Sequence, residues 1–297
     1  MPTKLNAFSV GDKARLWLAG GSTVAHLFPN SVYLRTSSSE LVTVTRKGVR
    51  SPVTVNLAGR GPSFESTLRI GDEALDEGDA LHLGGLELGL ACPTFHGSFT
   101  ADGLDPRSAL PVASRIPAAC SMVGVMNLRE SILDGRGRAF PEYAAFFRSC
   151  FLSGRPFDGN GFLEKSYEML GLGFGFTPSF DDFLAGFLCL YDPGAALVGE
   201  KMLLVDVGRA EKRTSWASSR LLSYMQQGLV DEEVERVVSS LYEGEGEAFL
   251  DGLEDVLGRG HSSGLDMAVG MVMGAATFLD LVGRGSLAAR AARAMGF

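Results

Sequence analysis

The chain has 297 residues, 45% apolar and 21% charged, a mix that excludes a disordered or fibrous protein. At this length roughly three quarters of the unfolded surface can be buried, so folding needs no disulfide or metal staple, and two lobes are expected rather than one. The formal net charge of −8 speaks against a sequence-independent grip on nucleic acid or an anionic membrane, since both need clustered Lys and Arg.

The opening MPTKLNAFSV lacks the apolar stretch of a secretory signal, and the longest nearly apolar segment, Met267 to Leu279, is shorter than a bilayer span. A cytosolic protein is expected. Up to about residue 100 the pattern is short β-branched runs: Ser31 to Arg35, Glu40 to Arg46, Pro52 to Leu57, Ser66 to Ile70, Ala80 to Leu83 and Leu86 to Leu90. Turn residues separate them, among them Lys47-Gly48, Gly59-Arg60-Gly61-Pro62 and Gly84-Gly85. The spacing suits a small antiparallel barrel or sandwich. The acidic stretches Asp72 to Asp79 and Asp231 to Glu235 read as solvated faces or helix starts.

The segment Gly97 to Pro117 is rich in Pro, Gly, Ser and Asp and shows no period, so it reads as a connection. Beyond it the apolar residues recur at helical spacing. Helices are expected over Pro141 to Leu152, Phe162 to Leu170, Asp182 to Tyr191, Arg213 to Gln227, Asp231 to Tyr242, Gly246 to Leu257, Gly264 to Val282 and Ser286 to Met295. The fold class is therefore α+β, with a β-rich domain over 1–105 and a mainly α-helical domain over 106–297. Cys92, Cys120, Cys150 and Cys189 form no CxxC pair and are expected to be reduced thiols.

Glycine is over-represented at 38 residues, about 13%, and two glycine-rich approaches stand out. Gly171-Leu-Gly-Phe-Gly-Phe-Thr-Pro-Ser-Phe-Asp-Asp leads into one apolar helix, and Gly258-Arg-Gly-His-Ser-Ser-Gly-Leu-Asp into another. Each carries Ser-x-x-Asp-x-x-x-Gly: Ser179, Asp182 and Gly186, then Ser263, Asp266 and Gly270. The helices that follow have little charge on any face, so both are expected to be central, with the two entrances close together.

Meeting entrances would offer free N–H groups and positive dipole ends to a phosphate, carboxylate or oxyanion, yet Asp181, Asp182 and Asp266 bring negative charge to the same place. Three arrangements reconcile them. The carboxylates act as caps in a capping-box geometry, they hold a hard cation such as Mg²⁺, or they accept hydrogen bonds from an amide or amino group of the ligand. His261 has the chemistry of a general acid, base or oxyanion donor, and equally of a loop-bonding side chain. Arg213, at the head of Arg213-Thr-Ser-Trp, offers a planar fork to an anion or is a surface residue. His26, His82 and His96 form no ligand spacing, which disfavours zinc. Neither familiar nucleotide-binding glycine loop is present.

Three ordered motifs, GLGFGFTPSFDDFLAG (171–186), RTSWASSRLL (213–222) and GHSSGLD (260–266), resemble the AllH family of bacterial proteins, a subunit type of oxamate carbamoyltransferase. The resemblance extends less specifically to 24–57 and 69–90. It implies phosphorolysis of oxalurate to oxamate and carbamoyl phosphate in purine and allantoin breakdown, carried out with unlike protein subunits; the charge balance adds the expectation of no nucleic-acid and no membrane partner. Taken with the two entrances, the expected catalytic residues are His261, Asp182 and Asp266, and the expected substrate-binding residues are Gly173, Gly175, Thr177, Ser179, Asp181, Arg213, Thr214, Ser262, Ser263 and Gly264. No metal ligand is assigned, and Mg²⁺ stays open as a cofactor. The chain departs from the family pattern at Phe174, where Pro is usual, and at Phe180, where Gly is usual. A bulky Phe180 is expected to narrow the pocket or exclude positive φ there. A non-catalytic metabolite-binding subunit and a metal-dependent hydrolase using the Asp pair are the competing readings.

Overall fold

The computed structural model describes residues 3–59, 61–125, 133–134, 138–139, 141–173, 175–259, 263–283 and 285–297. The chain forms two compact units, Met1–Ser98 with Leu229–Glu232, and Phe99–Gly228 with Glu233–Phe297.

The first unit is a barrel. Its strands are β1 (Thr3–Gly11), β2 (Ser22–Leu27), β3 (Ser31–Thr36), β4 (Leu41–Thr45), β5 (Thr54–Leu57), β6 (Glu73–Asp76), β7 (Ala80–Leu83), β8 (Leu86–Gly89) and β9 (Thr94–Phe95). They lie in the order β5-β4-β3-β2-β6-β7-β8-β1-β9, and the antiparallel pairing of β1 with β5 closes the first eight. Closure leaves no free edge among those eight. The parallel pairs β4–β5 and β1–β8 make the sheet mixed, where the sequence suggested an antiparallel one. Val24, Val32, Leu34, Val42, Val44, Val55 and Leu57 fill the interior with Phe64, Leu68 and Leu88. Alternation places every second residue of each strand on that side.

Two helices belong to this unit, α1 (Asp12–Leu18) and α2 (Phe64–Thr67). The second overturns the strand expected over Ser66 to Ile70. There the hydroxyls of Ser66 and Thr67 donate to the Ser63 carbonyl, closing a helical turn locally, while Phe64 is fully buried. The acidic stretch 72–79 contains β6, whose Ala74 is buried between exposed neighbours.

The second unit holds α3 (Ile116–Val125), α4 (Pro141–Phe151), α5 (Gly159–Met169), α6 (Ser179–Leu197), α7 (Val207–Ala210), α8 (Trp216–Gln226), α9 (Glu232–Glu243), α10 (Gly246–Leu257), α11 (Ser263–Gly283) and α12 (Leu287–Ala294). A 3₁₀ helix, Pro106–Ser114, occupies much of the expected connection, with the Asp105 carboxylate accepting from the Arg107 N–H at its start. Two short strands, β10 (Leu133–Asp134) and β11 (Arg138–Ala139), form a separate pair. The fold is α+β, as the change of period along the chain implies.

Helices α6 and α11 are the axis of this unit. Apart from their ends they are buried on all sides, and their backbones touch through glycine. A Cβ on Gly186 would lie 2.0 Å from the Met267 carbonyl oxygen, and one on Gly270 would lie 1.9 Å from that of Phe183. The contact is reciprocal, because 179, 183 and 186 stand in the same relation to 263, 267 and 270. α11 is long and apolar enough to cross a membrane by length and composition, but 78% of its apolar 18-residue window is buried inside the protein, which marks a core helix. It outruns the apolar stretch Met267 to Leu279 because the residues flanking it are helical too.

Asp192, 1% exposed on α6, accepts from the Leu203 N–H at 2.8 Å, and burial pushes its pKa up to about 6. The folded state therefore holds the proton more tightly than the unfolded chain. Stability is greatest below the unfolded value and falls as pH rises through about 6. Asp192→Asn should remove roughly 3 kcal/mol of that decline, two pH units at about 1.4 kcal/mol each. Urea unfolding of both proteins from pH 4 to pH 7.5 checks this, and parallel stability curves would refute it.

Candidate functional site

The two serine-led entrances meet. Thr177 Oγ1 donates to Asp182 Oδ2 at 3.0 Å and lies 3.2 Å from Ser263 Oγ, so one hydroxyl joins the start of α6 to the start of α11. Ser263 also hydrogen-bonds the Asp182 carboxyl. Thr177 has one proton and gives it to Asp182, so it accepts if Ser263 donates to it. Asp182 is 6% exposed and Asp266 fully buried. The two carboxyls repel each other, and Asp181 adds to the repulsion.

The capping-box expectation fails. Pro178, not Ser179, is the N-cap of α6 and contributes no side-chain cap, and Asp182 accepts from side-chain hydroxyls. The reason is the proline: it sets the entry φ, and its carbonyl takes the N–H groups of Asp181 and Asp182, at 2.9 and 3.2 Å. The Phe180 N–H goes to the Leu172 carbonyl at 3.1 Å, and the Gly264 N–H to that of Arg259 at 3.2 Å. The amides of Phe180, Asp181 and Asp182 at the start of α6 are thus spent within the fold, and carboxyls and hydroxyls give that entrance its character.

Asp181 faces a different set of partners. It accepts from the Gly171 N–H at 2.9 Å and from the Thr214 hydroxyl. Burial raises its pKa, and these donors pull it back part of the way. Burial raises that of Asp182 well above the usual carboxylate range, against the pull of Ser263 and Thr177, with the charges of Asp266 and Asp181 adding to the rise. At neutral pH this cluster can hold protons that a surface aspartate would release.

In the approach to α6, Gly171, Gly173 and Gly175 are exposed. Gly171 (φ +83°) packs against the Arg213 carbonyl, where a Cβ would lie 2.3 Å from its oxygen. Gly173 (φ +112°) packs against Ser179, 2.8 Å from its Oγ by the same measure. Gly175 also has positive φ and is exposed. Arg213 is exposed, and its carbonyl packs on the loop. His261 and Ser262 lie outside the described residues, as does Phe174.

For Phe180 the second of the two expected outcomes holds. It adopts no positive φ, and its ring is fully buried. It packs against Tyr143, Phe146 and Phe183 at centroid distances of 6.0, 5.0 and 5.5 Å. One step along a helix turns the side chain by about 100°, which separates this ring from the Asp181 carboxyl. Tyr143 is a site residue that sequence reasoning missed. Its hydroxyl donates to the Leu172 carbonyl at 3.0 Å, and its pKa is raised by burial first and then by Asp266, Asp181 and Asp182. Its helical spacing in α4 marked it only as core.

Among the described residues, no group of three or more His, Cys, Asp or Glu side chains is arranged to hold a metal ion. The four cysteines are free thiols.

Fold and site together define an α+β protein whose helical unit encloses a hydroxyl-lined cluster of buried carboxyls. The family model of the oxamate carbamoyltransferase subunit AllH matches residues 169–275, which hold Asp181, Asp182 and Asp266, and over that stretch the chain is AllH-like. Comparisons with curated proteins and with solved structures give no match.

Proposed function

We propose that the chain is a subunit, or a close relative of a subunit, of an oxamate carbamoyltransferase that works in the cytoplasm on oxalurate and phosphate. The observation that carries this reading is the junction of Asp182, Thr177 and Ser263, in which a carboxyl with a raised pKa sits between two helix starts within the AllH-like segment.

In the proposed reaction a phosphate oxygen attacks the carbamoyl carbon of oxalurate, and the bond from that carbon to the oxamate nitrogen breaks. The proton lost by phosphate equals the proton gained by the departing nitrogen, so a group that accepts one and releases the other can carry the exchange. Asp182 takes this role, with Asp266 beside it keeping its proton affinity high. Thr177, Ser179, Ser262, Ser263 and Thr214 orient the amide end, with backbone contacts from Gly173, Gly175 and Gly264. His261 and Arg213 meet the phosphate or the developing oxyanion. Asp181, tied to Gly171 and Thr214, holds the loop in place. Unlike protein subunits complete the complex.

The test mixes purified protein with candidate partner subunits, oxalurate and phosphate, and measures carbamoyl phosphate. Turnover should appear and should fall at least about 100-fold in Asp182→Asn, the usual scale for losing a general acid or base. Absence of product with every combination of subunits would overturn the assignment. A thermal shift with oxalurate but no product would instead support a metabolite-binding subunit.

A further inference from the structure

We propose that the barrel carries an anion site of its own, built on Arg46 and independent of the carboxyl cluster. Val42 and Val44 of β4 face the barrel interior, and the ladder continues past the strand because the Arg46 N–H donates to the Asn30 carbonyl at 3.0 Å. Side chains alternate along an extended segment, so Arg46 continues the inward row. Its guanidinium lies over the Phe64 ring, with Cζ 4.0 Å from the centroid.

The Nε, Nη1 and Nη2 atoms of Arg46 are all buried and none has a hydrogen-bond partner; among the described residues no other arginine has all three in that condition. Burial is the influence on its pKa, lowering it, and no carboxylate offsets that effect. Stacking on Phe64 satisfies a face of the guanidinium and accepts none of its five N–H bonds. A desolvated cation without acceptors is unfavourable enough that such groups in native proteins mark a missing ion or water. The planar fork matches two oxygens of one carboxylate or phosphate.

Gly61 provides the flank. A Cβ there would lie 2.8 Å from Nη2 and 3.3 Å from Leu5 Cδ2, so a side chain at 61 would crowd the edge of the guanidinium. The ligand class is a small oxyanion group, carboxylate or phosphoryl, taken at the end of a barrel whose remaining interior is apolar.

The test titrates the full chain with inorganic phosphate, with acetate and with chloride at matched ionic strength, following melting temperature and the Arg46 Nε–H resonance. A saturable shift of that resonance with phosphate or acetate, above the chloride response, is expected, with a rise in melting temperature of about 3–8 °C at 100-fold excess over Kd. A response to phosphate alone assigns a phosphoryl ligand, and a response to acetate assigns a carboxylate. Gly61→Ala should weaken the response about tenfold or more. Arg46→Met should abolish it while leaving the melting temperature without anion unchanged or higher. No saturable shift of the wild-type resonance with either anion would overturn the proposal and leave water as the partner. So would an Arg46→Met protein that melts lower without anion yet keeps the wild-type response.

Discussion

Gly270→Ala should be the most damaging single-methyl substitution in the helical unit, costing about 3 kcal/mol or more. The added Cβ would lie 1.9 Å from the Phe183 carbonyl oxygen and 2.8 Å from the Phe187 N–H nitrogen. Backbone cannot turn aside as a flexible side chain can, so α6 and α11 must separate along their shared seam. Overpacking a well-fitted core costs 1–3 kcal/mol, occasionally more, and here the strain spreads through the two central helices. Gly283→Ala is the matched control on the same helix, because the nearest atom to its Cβ is Leu110 Cδ2 at 3.5 Å, an ordinary contact. That change should be neutral or stabilising by up to about 1 kcal/mol, the usual helix preference for Ala over Gly. Chemical denaturation of the two variants decides the matter, and equal effects would show that the seam is not the constraint.

Asp182→Asn should separate stability from function. Its folded-state pKa is raised by burial, so the folded protein favours the protonated form. Stability is full below the unfolded carboxyl value and declines as pH rises toward the folded value, leaving the wild type at a disadvantage at neutral pH. The variant escapes that decline. Its melting temperature relative to wild type should rise between pH 4 and pH 8, while oxalurate affinity should fall at least about tenfold. Had Asp182 been a cap, the substitution would instead lower stability by about 0.5–2 kcal/mol and leave ligand affinity unchanged. Asp266→Asn should show the same trend, because it removes a neighbouring charge that raises the pKa of Asp182. A fall in melting temperature at every pH in both variants would refute the account.

Much of this arrangement was legible in the residues. The matched Ser-x-x-Asp-x-x-x-Gly entrances predicted a meeting, and Thr177 lies between Asp182 and Ser263. The helix expected over Gly246 to Leu257 and the strand over Ala80 to Leu83 have the bounds the sequence suggested. What escaped was decided by partners distant in the chain or by local bonds without a period. β1 alternates poorly because its burial comes from pairing with β5, β8 and β9. The run 66–70 has strand composition, but two hydroxyls turned it into a helical turn. The spent amides of α6 follow from Pro178 and from a reach back to Leu172, and spacing alone shows neither.

The seam between α6 and α11 also governs the order of events at the ribosome. α6 emerges first, and the glycine seam that it presents to α11 stays bare until Gly283 has been made. At ordinary synthesis rates that interval is roughly 4 to 17 s. During it that seam must remain uncovered without aggregating, and α11, apolar enough to enter a bilayer, must find α6 as soon as it appears. A nascent chain stalled between Leu197 and Ser263 should therefore depend on chaperones, and that dependence should end once the second helix has cleared the exit tunnel.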